Sequence, residues 1–376
     1  MPIIGIDYTP AFEQGGGIGR YVRELVAALQ REPGDFNYSL FVAGSDGRDL
    51  PFHAESPFAW HPNPIPARWW ARIWHRAHIW FPVEGLVGRV RLYHATDFVL
   101  PPTLPETSTL LTVHDLSFVR VPDAASPRLR RYLDSVVPRS IARADHILAD
   151  SAATKADIID VYGTSADKIT VLYSGVDSHF QRVTDETVCQ AVRARYALPS
   201  SPFILSVGTV QPRKNYARLV AALAQVRTRH DIDLVIVGGR GWLEDAIYQA
   251  VRDHDLSDHV HFAGYVDDAD LRAVYSMAQA TVIPSLYEGF GIPVLESMAC
   301  GTPVITSDIS SLPEVAGDAA LLIDPHNTEA IADAIRRLLE DTVLVDTLTQ
   351  RGLMRAHDFT WDRAAHQLRQ MYETFI

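Results

Sequence analysis

Short runs of β-branched and apolar residues alternate along this chain with stretches whose apolar positions recur every three to four residues. The runs at 3–8, 38–43, 92–95, 110–114, 146–149 and 170–173 predict strands, and the spacing between them predicts helices at 18–29, 128–143 and 152–161. A stretch containing Gly and Asp (174–182) and one helix follow, and then the alternation restarts. Further strands are predicted at 204–207, 234–237, 260–262, 281–284, 304–306 and 320–323, with helical patterns at 216–226, 329–339 and 361–375. Strands alternating with helices predict parallel sheets covered on both faces. The restart predicts two such sheets: an α/β chain of two doubly wound, Rossmann-like domains, residues 1–180 and 181–357, facing a central cleft. Ligands of these sheets bind outside the carboxyl ends of the strands, so the site is expected between the two domains.

A length of 376 residues suits two cores better than one. No apolar run approaches the roughly 20 residues needed to cross a bilayer. The opening MPIIGIDYTP has neither a basic n-region nor a cleavage site, and it reads as a first strand rather than a signal peptide. The two cysteines, Cys189 and Cys300, lie far apart without metal-ligand spacing. That fits a reducing cytoplasm and argues against a disulfide framework or a zinc site. A formal charge of −12 argues against general nucleic-acid binding, which needs a broad basic surface.

The densest chemistry lies at 285–296, SLYEGFGIPVLE. A predicted strand ends near Pro284, Gly289 and Gly291 form a tight loop, and Pro293 suits the first turn of a helix. The glycines let backbone approach a ligand closely, and the helix start offers unpaired N–H groups to an anion. Glu288 falls in the loop and Glu296 one turn into the helix. Either glutamate alone reads as a solvated acid or a helix N-terminal charge; the whole unit reads as a site. A second piece, VGTVQPRKN at 207–215, follows a strand and precedes a helix. Arg213 and Lys214 there can neutralise a diphosphate, one by a bidentate fork and the other as a point charge. Lysine stands at only three positions, 155, 168 and 214, so its use at 214 is itself a hint.

Two further elements lie in the first half. FEQGGGIGRY, at 12–21, joins the first strand to the first helix; as a dinucleotide fingerprint it fails, because Arg20 stands where a glycine is required. TVHD, at 112–115, ends a buried strand, and its His114 is either a structurally satisfied side chain or a site residue. Asp231-x-Asp233 and Asp268-x-Asp270 imitate the D-x-D metal motif, but helix or strand capping accounts for both, so no metal is expected.

The segment 285–296 resembles the E-x7-E motif of retaining GT-B glycosyltransferases, the family-four group that includes many bacterial mannosyltransferases. The similarity extends over nearly the whole chain and is strongest from Phe203 to Pro325. It implies that Glu288 contacts donor-sugar hydroxyls, that Glu296 contacts the ribose, and that Phe290, Gly291 and Ile292 border the sugar and phosphate. It makes 213–215 the family's R-K-N phosphate clamp, preceded by Gly208, and sets Val266, after Tyr265, against the base. It packs the loop with Gly17 and Arg20 over the donor phosphate and the acceptor, and turns His114 toward the donor sugar. The segment 310–317, SSLPEVAG, reads mainly as architecture. The last helix, about 358–376, resembles the family's crossover back to the first domain.

On this resemblance the chain is expected to be an enzyme that moves a sugar with retention from a nucleoside diphosphate, with GDP-mannose the best guess. The acceptor is expected to be a hydroxyl of a glycan or lipid-linked molecule in cell-surface polysaccharide or glycolipid synthesis. No cofactor is expected. A GT-B-fold epimerase and a non-catalytic nucleotide-sugar binder are the competing readings. One segment stays open: RWWARIWHRAHIWF, at 68–81, places Arg68, Arg72 and Arg76 four residues apart beside Trp69 and Trp74. It suits a peripheral contact with anionic lipid on the inner face of the plasma membrane, or equally an ordinary helix burying its aromatics.

Overall fold

The computed structural model describes residues 1–51 and 57–376. The chain divides into two compact units: Met1–Leu116 with Arg131–Gly175 and Trp361–Ile376, and Ser117–Arg130 with Val176–Thr360.

The first unit is a seven-stranded parallel sheet. Its strands are β1 (Ile3–Asp7), β2 (Asn37–Ala43), β3 (Phe58–Asn63), β4 (Leu92–Ala95), β5 (Ser108–Val113), β6 (His146–Ala149) and β7 (Ile169–Val171), in the order β3-β2-β1-β4-β5-β6-β7. The order reverses between β1 and β4, the point at which doubly wound sheets open a crevice. β3 has no counterpart among the predicted strands. It carries Pro62, which cannot donate to a ladder and is tolerated here because the strand lies at the sheet edge. The helix Trp361–Phe375 belongs to this unit. Its Tyr372 hydroxyl lies 2.9 Å from His94 Nδ1, while His94 Nε2 meets Thr112 Oγ1 at 2.8 Å. Burial, with the neighbouring His114 charge, pushes the His94 imidazole down to about 3, so it is neutral in this setting.

The second unit is a six-stranded parallel sheet of β8 (Phe203–Val207), β9 (Asp233–Val237), β10 (Val260–Gly264), β11 (Ala280–Ile283), β12 (Val304–Ser307) and β13 (Ala320–Ile323), ordered β10-β9-β8-β11-β12-β13. Side chains alternate across each strand. Leu234 and Ile236 of β9 join a core with Leu219, Leu223 and Ile335, whereas Val235 and Val237 join the opposite core with Leu271 and Val274. Both faces are therefore apolar, as a helix-covered parallel sheet requires. The reversal here falls between β8 and β11. Among the described residues no helix is long and apolar enough to cross a membrane.

Candidate functional site

The loops after β8 and β11 leave the second sheet at its reversal point, and a charge cluster forms where they meet. Gly208 follows β8 with φ +149, and a Cβ there would lie 2.7 Å from Lys214 Cε, so only glycine lets the lysine lie back across this turn. Asn215 Nδ2 donates to Pro284 O at 2.9 Å and Pro325 O at 2.8 Å, tying the β8 loop to the segments after β11 and β13. Leu286 N donates to Arg213 O at 2.8 Å. With both loops pinned, Lys214 Nζ reaches Glu288 Oε1 at 2.7 Å and Arg213 Nη1 reaches Glu288 Oε2 at 2.6 Å. Ser285 Oγ is the third donor to this carboxylate, reaching Oε1 at 2.6 Å.

Burial opposes the charge on Glu288, yet the two cations and these donors hold its carboxyl down at about 2. It is ionised at any working pH and cannot act as a general acid. One carboxylate against a guanidinium and an ammonium leaves the cluster with one surplus positive charge. The helix Ile292–Ala299 starts beside it, capped by Gly291, and its dipole adds further attraction for an anion.

Two serines that the sequence presents as architecture hold this loop. Ser310 Oγ accepts from Glu288 N at 3.0 Å, and Ser311 Oγ lies 2.9 Å from Glu288 O and 2.8 Å from Phe290 O, its one proton shared between the two carbonyls. Glu296 has a partner of its own: it is 1% exposed and its Oε2 accepts the Tyr275 hydroxyl at 2.8 Å. Phe290 packs on Phe359, and Val266 is buried beside a Tyr265 that stays 60% exposed.

In the first unit, His114 lies buried at the carboxyl end of β5. Its Nε2 is 2.8 Å from the Thr96 carbonyl, which can only accept, and its Nδ1 is 2.8 Å from Asp150 Oδ2. Burial would drive the proton off, but Asp150, Asp97 and the Thr96 carbonyl outweigh it and raise the imidazole to about 9. His114 is thus an imidazolium with both nitrogens engaged, and its backbone carbonyl accepts the Thr154 hydroxyl at 3.2 Å. Three acids around it escaped the sequence reading. Asp7 is raised by burial to about 6, Asp97 is raised by burial and accepts Gln14 Nε2 at 2.9 Å, and Asp150 keeps a buried Oδ1 with no protein partner. Each lies at or just past the end of a buried strand, a signal that was there to read.

The glycine loop behaves differently from its triplet. Gly15, Gly16 and Gly17 stand open, with space where a side chain would begin, and Gly17 starts the helix Gly17–Arg31 that carries half-buried Arg20. Gly19 is the constrained position: a Cβ there would sit 1.8 Å from Gln14 O.

The arginine–tryptophan segment does not form one α-helical stripe. An α-turn, Ala67–Ala71, passes into a π-helical turn, Arg72–Arg76, in which Ala77 N reaches back five residues to Arg72 O. The wider turn breaks the four-residue repeat beyond Arg72. Trp70 is buried and stacks on Trp74, whose Nε1 donates to Phe81 O, so these two rings are packing. Arg68, Arg72 and Arg76 are exposed, and Arg72 lies over exposed Trp69. The D-x-D look-alikes also separate. Asp270 accepts from Arg195 and Tyr196 in a helix's first turn, but Asp233 caps nothing: it is buried and gathers His259, His261 and Arg227. Among the described residues no group of three or more His, Cys, Asp or Glu is placed to hold a metal ion.

Residues 15–180 match the family model described as Glycosyltransferase Family 4, and residues 190–355 match Glycosyl transferases group 1. The chain is 35% identical over 285 residues to O-antigen chain mannosyltransferase B of Escherichia coli, covering 75% of this chain and 74% of that protein. It is 32% identical over 231 residues to the serotype-specific mannosyltransferase WbdA of Escherichia coli, where the match spans 60% of this chain but only 28% of the relative's length. The solved sucrose-phosphate synthase of Thermosynechococcus elongatus superposes with a TM-score of 0.76 at 25% identity, covering 100% of this chain and 99% of that one. With both sheets doubly wound and both halves matched, the chain belongs to the GT-B glycosyltransferases built from a family-4 and a group-1 domain, homologous to bacterial mannosyltransferases.

Proposed function

We propose that this glycosyltransferase moves mannose from GDP-mannose, with retention, to a hydroxyl of a glycan or lipid-linked acceptor in cell-surface polysaccharide synthesis. The observation that carries the reading is Glu288 held ionised between Arg213 and Lys214 beside a helix N-terminus. Departure of a nucleoside diphosphate adds one negative charge to the two its phosphates already carry while the sugar becomes cationic, and fixed donors aimed at that charge lower the barrier. Arg213 and Lys214 supply them. Glu288, an acceptor only, takes donor-sugar hydroxyls and stabilises the developing cation. Glu296 takes the ribose, Phe290, Gly291 and Ile292 border the sugar and phosphate, Gly208 leaves room at the diphosphate, and Val266 lies against the base. His114 orients the donor through its backbone carbonyl, because both ring nitrogens are already engaged. Gly17 and Arg20 border the phosphate and the acceptor. Mannose is inferred from what the relatives are named for, and GDP only from the sequence resemblance to mannosyltransferases.

The test is release of nucleoside diphosphate from a panel of GDP- and UDP-sugars, with a glycan acceptor, a lipid-linked acceptor and water alone. The product anomer is then assigned by NMR. Consumption of GDP-mannose with an α-linked product is expected. Nucleotide binding without turnover of any donor would replace the transferase with a binder.

Action at the cytoplasmic face of a membrane is also proposed, from exposed Arg68, Arg72 and Arg76 with Trp69. Trp74 is withdrawn from that surface because its ring and Nε1 serve packing. Flotation with anionic but not neutral liposomes is the expected result, and no flotation removes the proposal.

A further inference from the structure

A pocket of about 450 Å³ opens in the first unit between the Trp74–Trp80 turn and the starts of β5 and β6, within the usual size range of small-molecule sites. Thr109 and His114 stand at opposite ends of one strand, so the pocket lies roughly 16 Å from the edge that carries His114. It is therefore separate from the groups assigned to transfer.

Its walls are of two kinds. Trp74 and Trp80 supply indole surface, and Trp80 is 66% exposed, an unusual place to leave so large an apolar ring. Thr103, Arg143 and Asp145 supply the polar side. Arg143 is held rigid by Leu100 O at 3.2 Å and Pro101 O at 2.8 Å. Asp145 commits Oδ2 to Thr109 N and Oγ1, both at 2.8 Å, which leaves Oδ1 for a ligand hydroxyl. Arg143 and Asp145 cancel in charge. His78 also lines the pocket, with its Nε2 3.5 Å from the Arg139 guanidinium. A phosphate would face the Asp145 carboxylate, whose charge Arg143 only balances, and an alkyl chain would strip water from both charges without replacing it. A pyranose satisfies both walls, since its C–H face suits the negative face of an indole and its hydroxyls suit Asp145, Arg143 and Thr103.

We propose that this pocket binds a neutral oligosaccharide and so anchors a glycan chain away from the transfer site. That the chain is the enzyme's own acceptor or product rests on the function proposed above; occupancy of the pocket does not. Calorimetric titration of the full-length protein with linear tetrasaccharides of mannose, glucose and galactose tests it. At least one should bind in the millimolar range or better, and Trp80→Ala should weaken it roughly tenfold or more. Trp80 is exposed, so the variant should melt like wild type, and its nucleotide release with a monosaccharide acceptor should be unchanged. No binding of any tetrasaccharide by wild type overturns the proposal, as does binding that Trp80→Ala leaves intact. If wild type turns over no donor at all, the transferase reading fails while the titration still decides the pocket.

Discussion

Lys214 and Glu288 lie 74 residues apart and meet at 2.7 Å because each follows a strand on one side of the second sheet's reversal point. The ammonium is one of two cations on this carboxylate, so the surplus positive charge of the cluster depends on Arg213. Arg213→Ala should lower kcat about 10²–10³-fold, as loss of a donor to developing charge does elsewhere. Glu288→Gln keeps the shape and should lose activity through KM and kcat together. Steady-state kinetics check both, and an Arg213→Ala enzyme with wild-type kcat would remove the clamp from the mechanism.

Acid should weaken the same cluster. The Glu288 carboxyl sits at about 2 in the folded chain against an ordinary 4.5. Its contribution is therefore fully present above about 4.5 and is lost as pH falls toward 2, on the order of 3 kcal/mol in total. Urea unfolding midpoints between pH 5 and 3 should fall more steeply for wild type than for Glu288→Gln. Parallel slopes would mean that the carboxylate is not held as described.

His114 carries the opposite sign. Raised to about 9, its charge stabilises the fold fully below the ordinary imidazole value near 6.5, and that contribution is lost as pH rises through 9. Replacing Asp150 by Asn removes the negative charge beside Nδ1 and should bring the loss down toward neutrality. Nitrogen-resolved NMR of the imidazole should show both nitrogens protonated at pH 7 in wild type, and a neutral tautomer there would contradict the assignment.

Glycine substitutions should separate an open loop from a constrained one. Gly19→Ala forces a Cβ to within 1.8 Å of Gln14 O, so the loop must move, at a cost of about 1–3 kcal/mol. Gln14 also donates to Asp97, so a shift there reaches the acids beside His114. Gly16→Ala meets nothing and should melt within about 0.5 kcal/mol of wild type. Equal melting of the two variants would show that the turn at Gln14 is soft.

The buried strands were legible in the sequence because both sheet faces are apolar, and their β-branched runs stand out against the amphipathic helices. β3 was not, since Pro62 breaks the pattern that an edge strand does not need. The residues of the cation–carboxylate cluster were legible as motifs, because Arg213, Lys214 and Glu288 are adjacent to strand ends that periodicity locates. Their support was not: Ser310 works from a positive φ of 55°, and nothing in SSLPEVAG announces that a non-glycine residue adopts it. The π-helical turn at Arg72–Arg76 was equally invisible, as a four-residue repeat reads as α-helix and nothing in it marks the wider turn.

The helix Trp361–Phe375, with its Tyr372 on His94, completes the unit that the first strand begins. On the ribosome this reverses the usual sequence of events, in which domains close in the order they are made. The second unit has all its residues once Thr360 emerges, and it can fold while the first still exposes the apolar surface reserved for the last helix. Through most of its synthesis the half made first is the half that stays unfinished, and its protection from aggregation depends on the fifteen residues of that helix arriving.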